Sequence, residues 1–377
     1  MPKIAKRYEG IKLSLIRQIN ALATPLTIDL GLGEPNLVPD EEFLEMARSA
    51  STTSWRYSAN AGSLEVRTVL AASLPTEVDP KTEVCITAGT EEGLYSVMQA
   101  FIEAGDEVLV PDPGFLAYPT LVRLADGTPI AYPLDPDGWR ILLPELERSI
   151  TSRTKAIILN TPSNPTGAIV DRPTLERLVE IAEERDILLI SDEVYRELYY
   201  EAEPPTLLGS SKNVIFLGGL SKSHGMTGLR LGWVVAAEPL MSTIVRAHQY
   251  VATCASVFSQ DLARRILENR EWNARWLVRA RAQFGTQRSV MLAHVESLLE
   301  VEVPAPGGAF YLFVPVPACR SVDLARALAK EALVLAIPGS AFGAAGEGFL
   351  RLSYATDPER IRHGVERIAS HLRQGEK

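Results

Sequence analysis

The residues best suited to chemistry stand close together in residues 214–235, VIFLGGLSKSHGMTGLRLGWVV, where Lys222 precedes Arg230 by eight positions. The apolar run 214–217 gives way to Gly218-Gly219 and then Leu220-Ser221-Lys222; a loop carrying Gly225 and Gly228 follows, and a second apolar run begins after Arg230. This pattern predicts a strand, a reactive loop and a second strand. A lysine at a buried strand end is poorly hydrated. Its ammonium form is therefore disfavoured, and its amine becomes available as a nucleophile suited to a Schiff base.

A phosphorylated aromatic aldehyde held by such a lysine makes definite demands. A ring nitrogen that must stay protonated needs a carboxylate, and Asp192 at a strand end supplies one. A phenolic oxygen needs donors, for which Asn164 and Tyr195 qualify. A flat face needs an aromatic cover, and Phe115 follows a Pro-Gly turn that exposes it. A phosphate needs backbone amides, a hydroxyl and an arginine; Gly89, Thr90 and Arg230 answer, with Gly89-Thr90 in a small-residue turn that opens a helix. A substrate carboxylate calls for a planar two-donor partner, and Arg351 in FLRLS fits. Gly31 and Gly33, just before Glu34-Pro35, mark a backbone path that passes close to a neighbour.

These residues need a scaffold, and the chain alternates accordingly. Strands are expected at 84–87, 107–110, 129–133, 155–160, 187–191, 213–217 and 231–235, with helices at 115–124, 143–149 and 173–185 between several of them. Such alternation predicts an α/β fold with a mostly parallel seven-stranded sheet, whose strand ends hold the ligand. Earlier helices are expected at 40–50 and from Gly62-Ser63 to about residue 74, and Leu13, Ile16, Ile19 and Leu22 share the face of a short helix. One or two long helices are expected over 239–299, with Trp272, Trp276, Phe284 and Met291 as core. Strands at 301–303, 309–314, 333–337 and 348–352 then mix with helices at 321–330 and 358–372 in a smaller α+β domain.

Length and composition bound the reading. A chain of 377 residues suggests about two domains, and a net charge of −9 argues against a nucleic-acid partner. Cys85, Cys254 and Cys319 lack the spacing of a metal site, and they are expected as small core thiols in a reducing compartment. No metal is expected. The chain shows no run of signal-peptide or bilayer-spanning length, so a cytoplasmic protein without membrane partners is expected.

Taken together, GLGEP (31–35), NTPSNPTG (160–167), SDEVY (191–195), LSKSHGMTGLRLGW (220–233), PGSAFG (338–343) and RLSYA (351–355) resemble the class I and II aminotransferases, pyridoxal-phosphate enzymes of the aspartate-aminotransferase fold. The resemblance covers nearly the whole chain. It implies pyridoxal 5'-phosphate as cofactor, carried by Lys222, which also moves the proton. Asp192 would pair with the pyridine nitrogen, Asn164 and Tyr195 would contact the phenolic oxygen, and Phe115 would stack on the ring. Gly89, Thr90 and Arg230 would hold the phosphate, and Arg351 and Gly33 the substrate carboxylate, with Asn164 beside it. Tyr57 would reach the phosphate from the other subunit of a homodimer. The bond Asn164–Pro165 is expected to be cis. An amino-terminal segment (1–38) would join the small domain (266–377), leaving 39–265 as the large cofactor-binding domain.

The chain departs from the pattern in two places. Some members have a serine or threonine three positions before the lysine, where this chain has Gly219, so a phosphate hydroxyl is either missing or supplied by Ser221. No second arginine matches the side-chain clamp of dicarboxylate-specific members; Arg17 and Arg123 are the alternatives. The expected reaction moves the amino group of an L-amino acid to a 2-oxo acid. A carbon-sulfur β-lyase of the same fold is the alternative. A ligand-sensing domain is disfavoured, because too few residues precede GLGEP for a winged helix.

Overall fold

The computed structural model describes residues 3–52, 55–317 and 320–375, so Cys319 lies outside the described residues. The strands, in chain order, are β1 (Ile28–Asp29), β2 (Val84–Thr87), β3 (Glu107–Asp112), β4 (Thr128–Asp135), β5 (Arg140–Ile141), β6 (Thr154–Asn160), β7 (Leu188–Asp192), β8 (Val214–Gly218), β9 (Gly232–Ala236), β10 (Tyr311–Pro315), β11 (Val334–Leu335), β12 (Ile337–Pro338) and β13 (Phe349–Ser353). The large sheet has the order β2-β9-β8-β7-β6-β3-β4-β5. Its seven expected strands are present, with the two-residue β5 added at one edge. Strands β4, β3, β6, β7 and β8 run parallel, while β9 is antiparallel to both β8 and β2.

The sequence explains which strands lie in the middle. All five residues of β7 and of β8 are buried, as expected for parallel strands covered on both faces. Burying a Val, Leu or Ile side chain stabilises by roughly 1.5–3 kcal/mol relative to leaving it exposed, so these two-sided apolar runs settle at the centre. The paired register then aligns Asn160 with Asp192 and Asp192 with Leu217 at the carboxyl ends of β6, β7 and β8. Lys222 follows within one loop.

Two smaller sheets complete the frame. Strand β1 pairs in parallel with β11, which ties the amino-terminal segment to the carboxy-terminal part, and β13 lies between β10 and β12. The expected strand at 301–303 does not form. Glu300, in the left-handed region, ends the preceding helix, and Pro304 and Pro306 lack the amides a ladder requires. The region 239–299 is three helices, Glu238–Ala252, Val257–Glu268 and Arg270–Leu299, because Thr253 and Asn269 leave helical geometry. Trp272, Trp276, Phe284 and Met291 are buried core, as is Cys85, whereas Cys254 is only half-buried. Among the described residues, no helix is long and apolar enough to cross a membrane.

Candidate active site

A cavity of about 300 Å³ opens at the carboxyl ends of β6–β8, and Lys222, Asp192, Asn164, Tyr195, Phe115, Thr90, Ser221, Arg230, Gly33 and Arg351 all line it. Ten residues scattered over the chain thus converge on one space. A larger cleft, about 640 Å³, lies at the opposite end of the central strands, near the amino ends of β7 and β8, beside Glu77, Glu183 and Lys212, and shares none of these groups.

The Lys222 Nζ donates to the carbonyl oxygen of Gly33 at 2.9 Å. Burial, reinforced by the nearby Arg351 charge, lowers its pKa to about 8, so the reactive amine is far more accessible than in a free lysine. The direction expected from sequence is therefore met. Asp192, nearly buried, moves the other way: burial raises its pKa to about 6. Tyr118 donates to its Oδ2 at 2.8 Å and the Val194 amide to its Oδ1 at 3.3 Å, and both bonds hold the carboxylate form in place. Such a group can neutralise a cation delivered into the cavity.

The loop after β6 is fixed from within. Asn160 donates through Nδ2 to the Asp192 carbonyl at 2.9 Å and accepts the Asn164 amide at 2.7 Å. Asn164 in turn accepts from the Arg351 Nη1 at 2.9 Å, and the Asn164–Pro165 bond is cis, as are Asp112–Pro113 and Thr161–Pro162.

Arg351 is 1% exposed, yet it lines the cavity. Its guanidinium lies between the rings of Tyr311 and Phe342, at 4.4 and 4.9 Å, and its Nη2 donates to the Gly31 carbonyl. Among the described residues its Nε has no partner. A buried N–H without an acceptor is costly, which favours an anionic ligand beside it. Gly33 must be glycine, because a Cβ there would stand 2.2 Å from the Tyr311 hydroxyl.

The opposite end of the cavity is built for a second anion. Asp40, Ser63 and Asp171 cap their helices through side chains, but the helix Thr90–Phe101 begins at Gly89 with no side-chain cap, so its first amides stay free. Gly89 has φ +96°, and a Cβ on it would come within 2.6 Å of the Arg230 Nη2. Thr90 Oγ1 donates to the Gly218 carbonyl at 3.2 Å, and Arg230 Nη1 to the Thr227 carbonyl at 3.0 Å. Gly219 has a local reason too, since a Cβ would lie 3.0 Å from Thr90 Oγ1, where a serine or threonine would crowd the turn. Phe115 meets Tyr118 edge-on, with ring centroids 5.5 Å apart.

Two expected residues behave differently from the rest. Tyr57 is 85% exposed and does not line its own chain's cavity. Arg17 does line it, whereas Arg123 does not, so the two alternatives for a side-chain partner separate. The sequence reading missed Tyr118, Tyr311 and Asn160. Tyr118 follows Phe115 by three residues, one helical turn, which was a usable signal; Tyr311 sits in an apolar strand and gave none.

The family model for aminotransferase class I and II matches residues 27–368. The chain is 35% identical to aromatic-amino-acid aminotransferase 2 of Thermococcus litoralis, with 98% of both chains covered, and 33% identical to an aspartate aminotransferase of Pyrococcus abyssi over the same shares. Among solved structures, Thermus thermophilus aspartate aminotransferase with maleate superposes with a TM-score of 0.93 at 31% identity, covering 98% of this chain and 100% of that one. The match spans both the large sheet and the small carboxy-terminal sheets that carry Arg351. The chain therefore belongs to the class I and II aminotransferases, a family whose members use pyridoxal phosphate to transfer amino groups.

Proposed function

We propose that this chain binds pyridoxal 5'-phosphate on Lys222 and moves the amino group of an L-amino acid to a 2-oxo acid, working as a cytoplasmic homodimer. The observation that carries the reading is the pairing of opposite shifts in one cavity: a lysine lowered to about 8 and a carboxylate raised to about 6, with anion-binding groups at each end. The donor set fits the cofactor. Gly89, Thr90, Ser221 and Arg230 would hold its phosphate, Asp192 its ring nitrogen, Asn164 and Tyr195 its phenolic oxygen, and Phe115 its face. When bound, the cofactor supplies an electron sink for the substrate's α-carbon.

The chain's own residues do the rest. Arg351 and the Gly33 backbone orient the substrate carboxylate, which fixes the α-carbon relative to Lys222. The Lys222 amine takes the α-proton at Nζ and returns it, a task suited to a pKa near the working pH. Asp192 keeps its partner nitrogen protonated from a site sheltered from water. Tyr57 would serve the phosphate of the neighbouring subunit. Arg17 has no ion-pair partner among the described residues, and it is our choice for the group that meets a second carboxylate on a dicarboxylic substrate; Phe115 and Ile16 offer apolar surface to an aromatic one.

The test is a single half-reaction with excess amino donor and no oxo acid. One equivalent of oxo acid without ammonia supports amino transfer, and sustained ammonia release would replace it with β-elimination.

A further inference from the structure

Tyr311 touches three separate parts of the site. Its hydroxyl lies 2.7 Å from the Tyr195 hydroxyl, its ring carries the Arg351 guanidinium at 4.4 Å, and the same hydroxyl packs against Gly33, whose carbonyl accepts from Lys222 at 2.9 Å. Both phenols are buried. Burial raises the pKa of each above the ordinary tyrosine range, so both stay protonated at neutral pH. The charged and titratable groups around the pair are Arg351, Asp192 and Lys222.

Two protonated oxygens at hydrogen-bond distance carry two protons, and only one can lie between them. The second must point elsewhere. The Tyr311 hydroxyl packs against Gly33 and has Tyr195 as its one side-chain hydrogen-bond partner among the described residues, and both phenols line the cavity. On the proposed function the Tyr195 proton goes to the cofactor's phenolic oxygen, so the proton between the two hydroxyls is that of Tyr311: Tyr311 donates to Tyr195, and Tyr195 donates into the cavity.

We propose that Tyr311 is a positioning residue: its hydroxyl locks the Tyr195 proton toward the bound cofactor, while its ring seats Arg351 for the substrate carboxylate. The proposal rests on the functional reading above. It separates the work of the hydroxyl from that of the ring, and the two can be removed independently.

The experiment compares Tyr311→Phe, Tyr311→Leu and Tyr195→Phe, singly and with Tyr195→Phe combined with Tyr311→Phe, all as cofactor-loaded protein. The first readout is the midpoint of the pH titration of the cofactor's visible absorption. A weaker donor to an oxygen that ionises raises that midpoint, and Tyr311→Phe should move it upward by about half a pH unit. In a Tyr195→Phe background the same change should add nothing, because the effect travels through Tyr195. Tyr311→Phe should also lower kcat by roughly threefold to tenfold with KM for the amino donor little changed. Tyr311→Leu, which removes the face under Arg351, should raise that KM. An unmoved midpoint in Tyr311→Phe, or a shift that persists without the Tyr195 hydroxyl, overturns the proposal. So does a Tyr311→Phe protein that cannot fold or load, since the hydroxyl would then serve the fold. A wild-type protein with no cofactor absorption would overturn the functional reading and this proposal together.

Discussion

Lys222 donates to the carbonyl of Gly33, 189 residues earlier in the chain, at 2.9 Å. The bond joins the loop after β8 to the segment after β1, so the lysine is held by both parts of the fold. Because burial brings its pKa to about 8, the neutral fraction grows as pH rises to that value. The rate at which cofactor-free protein takes up pyridoxal phosphate should therefore rise about tenfold per pH unit below 8 and level off above it. Stopped-flow absorption measures this directly, and a flat profile from pH 6 to about 9 would contradict the assigned pKa.

Asp192 should show a trade between stability and activity. Its folded pKa of about 6 lies above the ordinary carboxylate value near 4, so the unfolded chain gives up this proton first as pH rises. The cofactor-free protein thus loses stability through that window. Asp192→Asn removes the titration. Its melting temperature should exceed that of the cofactor-free wild type by roughly a few degrees above pH 6, with the gap closing in acid. The loaded variant should nevertheless turn over on the order of a hundredfold more slowly. Calorimetry across pH, paired with steady-state rates, tests both halves.

Tyr118→Phe should move the acid limb of the rate profile. Tyr118 donates to the Asp192 Oδ2 at 2.8 Å and so lowers the carboxyl pKa against the larger effect of burial. Without that bond the carboxyl titrates higher, and activity should fall off at a higher pH by roughly half a unit. An acid limb identical to wild type would show that Asp192 does not limit turnover there.

Much of this site was legible in the sequence, for an identifiable reason. Lys222, Asp192 and Asn164 stand at or just beyond the ends of apolar strands, and Arg351 is the one charge in the middle of β13, positions where a polar residue has no packing role to explain it. Tyr118 and Tyr311 are as important to the geometry but belong to a helix and a strand that bury them, so their rings read as core. The Asp192–Tyr118 bond links positions 74 apart, which no local pattern reveals. Arg17 had the same difficulty in reverse, since an exposed helical arginine gives no sign of the cavity it faces. The failed strand at 301–303 shows local pattern giving way to two prolines, and in the proposed homodimer the place of Tyr57 is set by a second subunit.

Arg17→Gln should separate substrate classes. If Arg17 meets a second carboxylate, kcat/KM for glutamate or 2-oxoglutarate should drop about tenfold while that for an aromatic amino acid changes little. An equal loss for both would place Arg17 in the general architecture of the cavity and not in side-chain recognition.

The homodimer prediction turns on Tyr57, which is exposed in the isolated chain. Mixing inactive Tyr57→Ala and Lys222→Ala proteins under exchanging conditions should restore activity through hybrids with one intact site. Full activity in a monomer at assay dilution would exclude shared sites.

If Lys222 carries the cofactor, a covalent trap must find the cofactor on that side chain. Loaded protein is reduced with borohydride, digested and mapped by mass spectrometry. A single pyridoxyl adduct is expected on the peptide containing Leu220-Ser221-Lys222. An adduct on Lys155 or Lys212 instead, with Lys222 unmodified, would contradict it.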